Sequence, residues 1–145
     1  METQHIQIKK IITETTGARK LKKILLIDED KDSALSTTLE QKGYDLIHCD
    51  SVQKAWGLVY PHRPQLIVLH LYDTNGAGLS NLQECRALAE GIPIILAAPA
   101  KVNQRLIKAT QHRAAVILAA SSMPESVAEA LQNLEPRRSQ DNRAP

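Results

Sequence analysis

The chain has no Phe, and aromatic residues make up only 3% of its 145 positions. Its core must therefore be aliphatic. Apolar residues reach 43% of the chain, enough to fill one domain of the usual ~100–200 residues. There are two cysteines, Cys49 and Cys85, far apart and without metal-ligand spacing. That excludes a disulfide framework, and both read as small buried hydrophobes in a reducing compartment. No apolar stretch approaches the ~18 residues of a membrane span, and the N-terminus has no apolar signal core, so a cytoplasmic protein is expected. There is no Gly-rich phosphate-binding fingerprint after the first apolar run, which speaks against a dinucleotide or P-loop site. No internal repeat is visible.

The net charge of +2 is small, but its distribution is uneven. Residues 1–23 carry six Lys or Arg against Glu2 and Glu14, and residues 136–145 carry three Arg against Asp141. The segment between them is net acidic. No aromatic side chains interleave with the basic ends, so they offer nucleic acid no stacking platform. They read as solvated tails rather than nucleic-acid arms, and no helix-turn-helix unit follows the last helical segment.

What the chain does have is short aliphatic runs at regular spacing. Ile24–Ile27 ends in Asp28-Glu29-Asp30. Helical periodicity covers Asp32–Lys42, with Leu35 and Leu39 on one face and Gly43 at the stop. Leu46–Cys49 is a second strand. Asp50 or Ser51 caps the next helix, whose buried face is expected to carry Ala55, Trp56 and Val59. Pro61 and Pro64 bracket a loop. Leu66–Leu69 is a third strand, and Asn75-Gly76-Ala77-Gly78 reads as a loop before a helix over Leu79–Ala89. Ile92–Ala97 and Ala114–Ala119 are strands four and five, separated by a helix over Val102–His112. A last helix reaches about Leu134, with Ser122 as cap, Pro124 in the first turn and Glu125 three residues after the cap.

Strands alternating with helices specify an α/β fold with a parallel sheet. Five short units in about 110 residues fit the three-layer flavodoxin-like order 2-1-3-4-5. Residues 23–135 form this domain. Residues 1–22 are a basic extension compatible with an added strand, a docked helix or disorder. Residues 136–145 are read as a disordered tail. In such sheets, sites lie beyond the carboxyl ends of the strands. The continuous apolar run of the third strand reads as buried on both faces, and it delivers His70 to that edge.

Lys23-Ile24-Leu25-Leu26-Ile27-Asp28-Glu29-Asp30, Pro64-Gln65-Leu66-Ile67-Val68-Leu69-His70-Leu71 and Gly91-Ile92-Pro93-Ile94-Ile95-Leu96 resemble the first, third and fourth strands of response-regulator receiver domains (the CheY-like fold). The resemblance spans roughly Lys22–Glu135 and implies two-component signalling, a phosphorelay context and protein partners. A working receiver has an acid pair that helps hold Mg²⁺, an Asp phosphoacceptor, a Ser/Thr and a Lys that bind phosphoryl oxygens, and a switch aromatic on strand five. A carboxylate attacking a phosphoryl group needs this cancellation of charge. Here Asp28 and Glu29 match the acid pair. The phosphoacceptor position is His70, the Ser/Thr position Ala98, the Lys position Ala120 or a neighbour, and the aromatic position Ile117. The resemblance is therefore to a pseudo-receiver: no catalytic residues, no cofactor and no metal are expected, and the chain is not read as an enzyme.

Asp28 and Glu29 are expected as a vestigial, solvated pair, and His70 as part of a local ion pair standing in for the metal. The alternatives are an atypical receiver still phosphorylated at His70 or at Asp73, otherwise a turn residue, or one that binds a metal or small ligand at the Asp28/Glu29/His70 edge. The expected function is phosphorylation-independent protein–protein interaction. The resemblance implies the face built from Val102–His112, Ala114–Ala119 and Pro124–Leu134, with a homodimer through that face as one form.

Overall fold

The computed structural model describes residues 23–72, 76–89, 91–99 and 117–134. The N-terminal extension, Asp73, the Val102–His112 helix, the first residues of the Ala114–Ala119 strand and the C-terminal tail lie outside the described residues. Five strands, β1 (Lys23–Ile27), β2 (Asp45–Cys49), β3 (Leu66–His70), β4 (Ile94–Ala97) and β5 (Ile117–Ala120), form one parallel sheet in the order β2-β1-β3-β4-β5. The helices are α1 (Ala34–Gln41), α2 (Val52–His62), α3 (Gly76–Ala89) and α4 (Pro124–Leu134).

Strand alternation divides the core in two. Leu25, Ile27, Ile67, Leu69, Ile94 and Leu96 face α2 and α3, meeting Val52, Ala55, Leu82, Cys85 and Leu88. Ile24, Leu26, Leu66, Val68 and Ile95 face α1 and α4, meeting Leu35, Leu39, Val127, Ala128, Leu131 and Leu134. This is the expected flavodoxin-like arrangement, and β3 is buried along its whole length. Both cysteines are free and buried. No described helix is long and apolar enough to cross a membrane.

Ser33 caps α1, accepting from the Ser36 amide at 3.2 Å, and Ser51 rather than Asp50 caps α2, accepting from Lys54 at 3.1 Å. The structure corrects four local expectations. Trp56 is half exposed, because it sits at the edge of the stripe formed by Val52, Ala55 and Val59, about 65° from its centre. Pro61 does not end α2. The helix runs to His62 and leaves through Arg63 in the left-handed region (φ 47°), whose amide bonds Val59 O at 2.8 Å. α3 starts at Gly76 rather than Leu79, since glycine is well tolerated at a helix start. α4 begins at Pro124, so Met123, not Ser122, precedes its first residue and accepts from the Ser126 and Val127 amides.

Candidate functional site

The register aligns the strand ends into one edge. Ile27 pairs with Leu69, His70 with Ala97, and Ala97 with Ala120. Asp28 is the next residue after Ile27. Alternation continues the Ile24–Leu26 side of β1 to Asp28 and the Leu66–Val68 side of β3 to His70, so the two meet at the same end of the sheet. His70 Nδ1–H donates to Asp28 Oδ2 at 2.9 Å, with Asp28 fully inaccessible and His70 8% exposed. The Tyr72 hydroxyl donates to Asp28 Oδ1, and the Asp30 amide donates to the same oxygen at 3.0 Å. The Tyr72 ring lies against the imidazole with centroids 4.3 Å apart.

The Asp28 backbone is equally committed. Its amide donates to Cys49 O at 2.9 Å, and its carbonyl accepts from His48 Nε2–H at 3.1 Å. Burial is the strongest influence on the Asp28 carboxyl and pushes its pKa up. The donors His70, Tyr72, Ser33 and the Asp30 amide together outweigh it and hold the group well below the usual carboxylate range. Tyr72 moves the opposite way. Burial first, then its bond to Asp28 and the charges of Asp28, Asp30 and Glu29, keep the phenol protonated well above its ordinary range. The outcome is a buried carboxylate solvated by protein donors, each such bond contributing about 1.5–3 kcal/mol net.

The sequence-level candidates divide accordingly. Asp28 and His70 are brought together by the hydrogen bond between imidazole and carboxylate. The expectation that Asp28 and Glu29 form a solvated pair holds for Glu29, which is exposed, and fails for Asp28, because its carboxylate turns inward to the imidazole. Ala98 is buried directly after β4 and its amide donates to Ala120 O at 3.2 Å. Ala120 ends β5, so both positions lie on the site edge carrying only methyl groups. Ile117 is the first residue of β5. Tyr72 was not anticipated. The signal was there: it lies two residues past His70, on the parity that returns a side chain to the same side of an extended chain.

These residues do not fit a Mg²⁺ ion. Such an ion needs near-octahedral oxygen ligands. Here both Asp28 oxygens already accept protein hydrogen bonds, and position 70 offers an imidazole engaged with that same carboxylate. Beside the cluster lies a cavity of about 180 Å³ whose polar lining includes Glu29, Asp50, Gln53, His70, Tyr72 and Asn81.

No protein-family model matches the chain, and no curated protein does. Solved structures do. The chemotaxis response regulator CheY4 of Vibrio cholerae aligns at 19% identity and a TM-score of 0.57, over 79% of this chain and 98% of that one. The receiver domain of NtrC4 from Aquifex aeolicus aligns at 22% and 0.56, over 78% and 93%. A response regulator from Desulfuromonas acetoxidans aligns at 19% and 0.55, over 78% and 95%. At these identities the likeness is one of fold: the chain is built on the architecture of response-regulator receiver domains.

Proposed function

We propose that this chain is a non-enzymatic, phosphorylation-independent signalling protein of the cytoplasm, a pseudo-receiver that acts by binding a protein partner. The observation that carries the reading is the cluster in which buried Asp28 and His70 are joined by the half-exposed Tyr72. Where phosphotransfer needs a free carboxylate, a divalent ion and groups for the phosphoryl oxygens, this edge has a carboxylate consumed by internal donors, an imidazole, and methyl groups at Ala98 and Ala120. The cluster ties the loop after β1 to the end of β3, which favours a single fixed conformation over a switch. The partner face is the one built from Val102–His112, Ala114–Ala119 and Pro124–Leu134, and among its described neighbours Met123, Glu125 and Glu129 are exposed.

Incubation with Mg²⁺ and a small-molecule phosphodonor, followed by intact-mass spectrometry, tests this. Unmodified protein is expected, and a stoichiometric phosphate adduct contradicts it. The cavity beside His70 supports a second reading, a sensor of a small polar ligand. A thermal-shift screen of small polar metabolites that raises the melting temperature in a His70-dependent way would favour it.

A further inference from the structure

We propose that the outer face of α2 is a self-association surface, on which two copies of this chain pair antiparallel about a two-fold axis at Gly57. The proposal is independent of the reading of the Asp28–His70 site, and its face is distinct from that of β5 and α4.

In a chain with one Trp, three Tyr and no Phe, two of these aromatics sit exposed on consecutive turns of this helix. Trp56 is 50% and Tyr60 78% accessible. Gly57 lies beside them at mid-helix, where glycine weakens a helix relative to alanine. No close packing inside the fold requires it, for a Cβ built there meets nothing within 4 Å. Arg63 holds the left-handed position after the helix, where glycine is the favoured residue, and its guanidinium lies over the Tyr60 ring at 5.5 Å. Both choices work against local stability, and both shape the same exposed face. The missing side chain leaves a notch beside the two aromatic rings, a form suited to close helix approach.

Charge selects the occupant. α2 carries no carboxylate of its own. At its N-terminal end stand Asp50, bonded to Lys54 at 2.9 Å, and Glu84 of α3, which accepts from Gln53 at 3.2 Å. At its C-terminal end stands Arg63. Asp50 and Arg63 lie at similar distances, about 10 Å, on either side of Gly57 along the axis. An antiparallel second copy therefore brings each Arg63 toward the other copy's Asp50 and Glu84. A two-fold interface requires this kind of self-complementarity, and opposed helix dipoles favour it. An 11-residue helix spans only about 16 Å, so the interface lies below ~1,200 Å² in total and the dimer is a reversible one in the micromolar range.

Trp56 is the single indole, so its emission reports on this face alone. Full-length protein is examined from about 1 to about 500 μM by sedimentation velocity and tryptophan fluorescence. A shift from a 16.0 kDa species to its dimer is expected, with a parallel blue shift of Trp56 emission. Gly57→Lys should keep the fold, since the site is open and lysine favours helix, yet weaken association at least about tenfold, and Arg63→Glu should weaken it similarly. A monomer with water-exposed Trp56 at the highest concentration overturns the proposal and leaves the stripe to an acidic segment of another protein. A dimer with unshifted Trp56 emission, or one indifferent to Gly57→Lys, also overturns it.

Discussion

Replacing His70 with Ala removes the donor to Asp28 Oδ2 and leaves a fully inaccessible carboxylate short of one partner. Leaving a buried charge short of its partner typically costs about 3–5 kcal/mol. The Tyr72 hydroxyl and the Asp30 amide remain as donors, which puts the loss at the lower end, about 3 kcal/mol. For a domain of this size that corresponds to a fall of about 10 °C in melting temperature. Part of the loss is the missing ring itself, so the electrostatic share is isolated by a double-mutant cycle with Asp28→Asn. Once the charge at position 28 is gone, removing His70 should cost much less, giving a coupling of about 2 kcal/mol. Urea denaturation followed by circular dichroism at pH 7 measures all four proteins. If His70→Ala costs under about 1 kcal/mol, or the two substitutions add independently, the pair does not hold this edge together and the reasoning is refuted.

Three further outcomes follow from the same geometry. Tyr72→Phe should destabilise by about 1 kcal/mol in the same assay, because Tyr72 is half exposed and water can partly replace its hydroxyl at Asp28. The Asp28 carboxyl is depressed in the fold relative to an unfolded value near ~3.9, so its contribution is present above that pH and lost as pH falls through the folded value. Wild-type stability should therefore decline on acidification below about pH 4, and Asp28→Asn should flatten that decline in acid titrations followed by circular dichroism. Burial raises the Cys85 thiol to about 12 and Cys49 also upward, so neither should be alkylated by iodoacetamide at pH 8 in the native protein, whereas both should react in urea, as counted by intact mass.

Most of the fold is legible because buried parallel strands are written as aliphatic runs, Ile24–Ile27, Leu66–Leu69 and Ile92–Ala97, that need helices on both faces; the fourth begins only at Ile94, after Pro93. The helices are less legible. Periodicity puts Trp56, at i+4 from Val52, on the buried face, yet it falls at the edge of that stripe and stays half exposed, and Asn75-Gly76 reads as a loop although glycine also opens helices. At the site, the pairing of Asp28 with His70 follows from strand order plus parity. The inward turn of Asp28 away from solvent does not, since it depends on Tyr72 and on the local bend that brings the Asp30 amide back to the carboxylate.

Among the described residues, the edge carries only methyl groups, at Ala98 and Ala120, where phosphotransfer needs a hydroxyl and a cation. Intact-mass spectrometry of wild-type and His70→Asp proteins, side by side with Mg²⁺ and a small-molecule phosphodonor, tests this most directly. Restoring a carboxylate at position 70 alone leaves only methyl groups at Ala98 and Ala120 and leaves the Tyr72 and Asp30 donors on Asp28, so both proteins should remain unmodified. A stoichiometric phosphate adduct on either one would contradict it.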